Sequence, residues 1–436
     1  MGQLILALAL GTAAVIGLSV APLSVTRRTG GLLIAAALVA LVAAPAVALV
    51  AAVAIAAAFA VDAWAVRRRP AISRSLPHLL ARGVPVPLAV TVGASPGELR
   101  VRQPPAADIT VEPAEADHEL EAEVVARRRG RHRLPAVATR HAGPLGLAAW
   151  YRTETDPAEL VVFPDLPAAR RLALAVRQGR FRAPGTMTRG PLGLGTDFES
   201  VRDYVPDDDV RQINWRATQR MVRPMTNQFR VEQDRDVVCL VDLGRLMAAP
   251  VGDRTRLDAA LDATAAVAYV ADEVGDRAGV VAFDDQVRRR LDPRRRGGEA
   301  VVRAVFDLEP RPVDSDYELA FRTVAHGKRA LVIVFTDLLD EAAATALLDA
   351  VPVLTRRHAV VVASVRDPDL VEMVTAPPRE PAAVYSAVVA LDVLDARALV
   401  TSRLRRMGAD VLEAPPAGLA PACVAAYLRA KRRARL

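Results

Sequence analysis

Two apolar runs open the chain. Residues 4–23 carry no charged side chain and neither do residues 31–61, with Thr26, Arg27, Arg28, Thr29 and Gly30 between them. An uncharged apolar run of about 20 residues is long enough to cross the bilayer core as a helix. The pattern therefore predicts an N-terminal transmembrane helical hairpin over residues 1–69, closed by Asp62, Trp64 and the basic run Arg67, Arg68, Arg69. The second run is longer than one span needs, so it tilts, kinks at Pro45, or starts outside the hydrocarbon. A cleaved signal peptide is the rival reading of the first run. It is disfavoured because Met1, Gly2 and Gln3 supply no basic start.

The periodicity then changes. Residues 82–166 hold short strand-like runs at 84–92, 99–102, 108–111, 120–125 and 160–163, separated by Pro, Gly and charged turns. That spacing predicts a small β-sandwich. Residues 167–235 read as a connecting segment, with a Gly-rich turn at 190–195 and a dense polar stretch at 202–220. From residue 236 to 436 strands and helices alternate. Apolar runs at 236–241, 278–283, 331–335, 359–365 and 411–412 read as strands, and 257–274, 300–308, 317–325, 342–351, 382–407 and 421–434 as helices. Continuous apolar strands between helices imply a doubly wound α/β domain, its parallel sheet covered on both faces. Ligand sites of such sheets lie at the carboxyl ends of the strands, which is where Asp242 and Asp337 fall.

Composition narrows the function. The 436 residues are 52% hydrophobic but only 4% aromatic, with a formal charge of +7. Arginine runs at 127–131, 294–296 and 431–435 have no interleaved aromatics, which argues against nucleic acid and for basic faces near anionic lipid. Arg67, Arg68, Arg69 and Arg74 outnumber Arg27 and Arg28, so the soluble part is expected on the cytoplasmic side of the cell membrane. Cys239 and Cys423 fit no metal or redox spacing and read as buried thiols. There is no phosphate loop, nucleophile elbow or H-E-x-x-H, and the six histidines are scattered. The chain therefore reads as non-enzymatic, with no catalytic residue to name.

The window from Arg202 to Arg220, with Tyr204, Asp208, Asp209, Arg211, Ile213 and Trp215, resembles the signature of the domain-of-unknown-function family fifty-eight. Asp207 stands where that pattern has Gly. Arg129-Gly130, the Gly-Pro-Leu-Gly-Leu run at 143–147 and the Val-Phe-Pro-Asp-Leu run at 162–166 are similar to further landmarks of the family. The resemblance implies a von Willebrand factor A-like domain after the window. It also implies action beside an AAA-type ATPase of the MoxR kind, in protein assembly or metal-centre maturation. A cell-envelope or cell-wall-related enzyme is the alternative. Arg202, Tyr204, Asp208, Asp209, Arg211, Trp215 and Arg220 are the partner-binding candidates, with a structural ion-pair network over packed Tyr204, Ile213 and Trp215 as the competing use.

The same resemblance implies a magnesium or manganese site at the strand ends, where a D-x-S-x-S loop supplies oxygen ligands. Here the loop carries Asp242 but Gly244 and Leu246 replace the serines, Ser315 stands in for a threonine, and Asp337 matches the last carboxylate. With Asp242, Ser315 and Asp337 as the remaining ligands and Arg245 nearby, weak or absent metal binding is expected.

Overall fold

A computed structural model describes residues 22–42, 45–182, 197–205, 208, 210, 213–230, 234–338, 341–377 and 380–432. Most of the first apolar run, the Gly-rich turn at 190–195, Asp209 and Arg211 lie outside the described residues. The chain divides after Val162 into two compact units.

In the first unit, Leu23–Val25 is a strand paired antiparallel with Ala148–Thr153. Helix α1 (Arg27–Val42) follows and packs against α2 (Pro45–Ala65). The sequence predicted a helix break at residues 26–30, then a second helix over 31–61 that tilts, kinks at Pro45 or starts outside the hydrocarbon. Arg27 instead opens α1, and the second apolar run is shared between two helices, the second starting at Pro45. Thr26 explains the start: its hydroxyl oxygen accepts from Thr29 N at 3.4 Å, as a capping residue does. Pro45 explains the division, because its missing N–H costs nothing in a first turn. Helix α1, at 16 residues, falls short of the ~20 needed to span. Among the described residues one helix, Ala46–Ala65, is long and apolar enough to cross a membrane, with mean hydropathy 2.4. Trp64 near its end is exposed and stacks under Arg67, whose guanidinium lies 4.7 Å from the ring centre.

The β region begins earlier than expected, at Ile72–Ser75. Its three sheets share one apolar core that includes Leu88, Val101, Leu120, Val124, Leu134 and Leu160. The predicted strands are all present. Gly130–Leu134, Ala138–Ala142 and Ala148–Thr153 are strands that the pattern did not announce.

Helix α2 is tied to this region through one carboxylate. Asp62, 1% exposed, accepts hydrogen bonds from the backbone N–H groups of Leu145 (2.8 Å), Leu147 (2.7 Å) and Ala148 (2.9 Å). A Cβ on Gly143 would collide with this carboxylate, and Gly146 has φ +66, so the glycines of the 143–147 run are required by the turn that Asp62 grips. The chain leaving this same end of the helix is held from the same sheet. Arg152 donates to the carbonyls of Val66 (3.3 Å), Arg67 (2.7 Å) and Arg68 (3.2 Å), just past the last turn.

The second unit starts before the boundary expected for the α/β domain. Helix α3 (Leu166–Arg177), assigned by sequence to the connector, buries Ala169, Ala173 and Val176 in the α/β core. Asp165 caps it, accepting from Ala168 N at 2.9 Å. A two-stranded hairpin, Asp197–Asp203 with Met225–Arg230, encloses helix α4 (Trp215–Met221).

The main sheet has six strands. These are β1 (Asp236–Asp242), β2 (Arg277–Phe283), β3 (Val287–Arg295), β4 (Ala330–Phe335), β5 (Ala359–Val365) and β6 (Asp410–Ala414). Their order is β3-β2-β1-β4-β5-β6, parallel throughout except for the antiparallel edge strand β3. The sequence did not announce β3, because its arginines break the apolar run. The helices are α5 (Arg256–Glu273), α6 (Gly298–Val305), α7 (Tyr317–Ala325), α8 (Glu341–Thr355), α9 (Pro368–Thr375), α10 (Pro381–Arg406) and α11 (Pro416–Arg432). Strand β1 shows why both faces are covered: Val237, Cys239 and Val241 join one core, Val238 and Leu240 the other. Helices α3, α5, α6 and α11 supply the first core, and α7, α8 and α10 the second. Burial raises the Cys239 thiol to about 12, so it stays a protonated core residue.

Candidate functional site

Strand order reverses at β1, whose neighbours β2 and β4 continue in opposite directions, so the crevice of this sheet falls at the carboxyl ends of β1 and β4. The carboxylate of Asp242, 2% exposed, is fully engaged there. Its Oδ1 accepts from Gly244 N at 2.7 Å and from the Ser315 hydroxyl. Its Oδ2 accepts from the Tyr317 hydroxyl at 2.8 Å and the Thr336 hydroxyl at 2.6 Å. Burial first, and then the neighbouring Asp242 charge, push the Tyr317 phenol well above its ordinary range, so it remains a donor. A Cβ on Gly244 would collide with the Ser315 hydroxyl. The glycine at 244 is therefore what lets Ser315 reach Asp242. Sequence placed Asp242 and Ser315 together, and the structure does so. It missed Tyr317 and Thr336.

Asp337, at the end of β4, faces elsewhere. Two guanidiniums, Arg256 and Arg397, form ion pairs with its two oxygens, and all three side chains are nearly fully buried. Arg397 also donates from Nε to Leu338 O at 3.0 Å. Arg256 lies 3.8 Å from Asp367, so two carboxylates balance two guanidiniums. Arg256 is the first residue of α5, where the helix dipole disfavours a cation. The Asp337 carboxylate is what holds it there. This donor set does not fit a divalent ion: a metal drawn to Asp337 would meet two fixed positive charges and no free oxygen. Arg245, expected to crowd the site, turns outward onto Asp314 at 2.6 Å.

The polar window forms the frame of the hairpin. Arg202 grips Asp208 bidentately at 2.8 and 2.6 Å, and Asp208 also accepts from Val205 N at 3.0 Å. The Arg202 hydrogen bond, and then that from Val205, hold the Asp208 carboxyl below its usual range. Asn214 caps α4, accepting from Ala217 N at 3.0 Å, and donates to Asn227 at 2.8 Å across the hairpin. Tyr204 and Ile213 are half-buried. Trp215 corrects the expectation that it packs beneath the charges: it is 67% exposed on the first turn of α4. Met221 and Val222, at the far end of the same helix, are also exposed, and Val222 is 90% exposed with φ 55, a backbone state that β-branched residues rarely adopt. Arg216 and Arg220 are exposed on the same helix.

The family model described as "Protein of unknown function DUF58" matches residues 200–376, from the hairpin through α9. The chain is similar to uncharacterized protein Rv1480 of Mycobacterium tuberculosis, with 26% identity over 221 residues, 48% of this chain and 68% of that protein. Uncharacterized protein Mb1516 of Mycobacterium bovis matches with the same figures. A solved Bacteroides ovatus GH5 xyloglucanase in complex with a XXXG heptasaccharide aligns over 82% of this chain and 100% of its own at 10% identity. The TM-score of that alignment is 0.14.

Proposed function

We propose that this protein is a membrane-anchored, non-enzymatic interaction module, with a von Willebrand factor A-like domain as its α/β unit and a MoxR-type AAA ATPase as its partner. Protein assembly or maturation is the process that the family resemblance implies. The sheet order and the antiparallel edge β3 support the domain reading. The pairing of Asp337 with Arg256 and Arg397 supports a domain that works without a resident metal. The observation that carries the reading is the hairpin. Arg202 and Asp208 hold one another and Asn214 caps the helix, while Trp215 and Met221 are turned to solvent. An exposed Trp is a frequent anchor of a protein interface.

Trp215→Ala should therefore leave the melting temperature of the chain nearly unchanged and weaken capture of the associated ATPase by about 2 kcal/mol, roughly thirtyfold. Pull-down from solubilised membranes beside a melting curve reads both. Lower melting with undiminished capture would make Trp215 a structural residue and remove the interface.

A cytoplasmic side for the soluble part is supported by Arg67, Arg68 and Arg69, which follow α2 and are exposed. A reporter that is active only in the cytoplasm should work when fused after Leu436. Activity there of a periplasm-dependent reporter would reverse the orientation.

A further inference from the structure

Strand β6 ends the main sheet, and no described strand pairs with its outer side. Ala414 turns its carbonyl toward β5, where it accepts from Arg366 N at 2.8 Å. Successive residues of a strand point their N–H and C=O groups to opposite sides, so Val411 and Glu413 present theirs to the open edge, where the Glu413 carbonyl accepts from the exposed Arg366 guanidinium at a long 3.4 Å. Such an edge is commonly blunted by a covering element. Here it is the floor of a cavity of about 1110 Å³ walled by α10 and α11. Gly408, Ala398, Ala422 and Ala426 line the walls. Their small side chains leave room for a backbone to lie against β6.

The charge of the groove says what lies in it. Arg329, Arg405 and Arg429 line it, and among the described residues none of them has an acidic partner. The acids of the groove are Asp410 and Glu413, and Glu413 already accepts from the Thr401 hydroxyl at 3.1 Å. We infer that the open edge of β6 receives an extended acidic peptide as a seventh strand, its backbone pairing with Val411 and Glu413 and its carboxylates meeting Arg329, Arg405 and Arg429. Backbone pairing supplies affinity in strand addition, and flanking side chains select the sequence. This groove is separate from the hairpin surface and stands or falls without it.

The test uses the full chain in detergent micelles and a labelled synthetic peptide alternating valine and glutamate. Three comparison probes are the same peptide with central prolines, its lysine counterpart, and a thymidine oligonucleotide. The acidic strand peptide should bind and slow amide exchange at Val411 and Glu413. The proline peptide, which keeps the charge but cannot pair, should bind about tenfold more weakly. The Arg405→Glu and Arg429→Glu changes together should cost at least about tenfold, more at low salt than at high. Should that double variant not fold, the probe series on the unaltered chain still decides. Equal binding of the strand and proline peptides, tighter binding of the oligonucleotide or the lysine peptide, or no binding at all would overturn the proposal.

Discussion

Arg397→Ala should destabilise the α/β unit by about 3–5 kcal/mol, because it leaves the buried Asp337 carboxylate with half its compensation. Arg397 is 3% exposed, so solvent cannot screen the loss. The same change releases Leu338 O, Ser364 and Val365 O from the donors that face them. For a unit of this size the melting temperature should fall by roughly 10 °C. A loss below about 1 kcal/mol would mean that water reaches Asp337 and that the pair is not structural. The unaltered chain should meanwhile be indifferent to magnesium and manganese. A rise in melting temperature with either ion, abolished by Asp242→Ala, would restore the metal-site reading.

Asp62→Ala should be as costly in the first unit. Three backbone N–H groups lose a charged acceptor, each such bond being worth about 1.5–3 kcal/mol, and the sum is not additive. A total of about 3–5 kcal/mol is expected, with Asp62→Asn less severe because one carbonyl oxygen remains to accept. Hydrogen exchange on the full chain in micelles locates the damage. The amides of Leu145, Leu147 and Ala148 should exchange far faster while those of Val101 and Leu120 keep their protection. Unchanged exchange at the three amides would show that the turn holds its shape without α2.

These two networks also mark what the chain disclosed before folding. The apolar strands of the α/β sheet were legible because burial on both faces leaves an unbroken run, as in Ala330–Phe335. Gly130–Leu134 and Val287–Arg295 were not, because their arginines break that run and only pairing defines them as strands. The position of Asp337 at a strand end was legible, but its partners were not. Arg397 is 60 residues further along the chain, in a helix whose pattern gives no sign of a buried cation. Tyr317 was read as part of a helix and not as a donor to Asp242, which lies 75 residues away. For Trp215 the sequence left two uses open, partner contact or packing beneath the charges, and the short helix, which turns it outward, speaks against the second.

Helix α5 has a consequence for how this protein can vary. Its alanines, among them Ala259, Ala263, Ala266 and Ala268, are buried on all sides, with α3, α6 and α11 packed against the helix. Small side chains let neighbouring helices approach closely, and an added methylene group there meets a wall, at about 1–3 kcal/mol. Shrinking to glycine costs about 1 kcal/mol in helix propensity. Mutational drift is thus closed in both directions along this helix. An enlarged residue in α5 requires a matching reduction in α3 or α11, so these segments are bound to change together if they change at all.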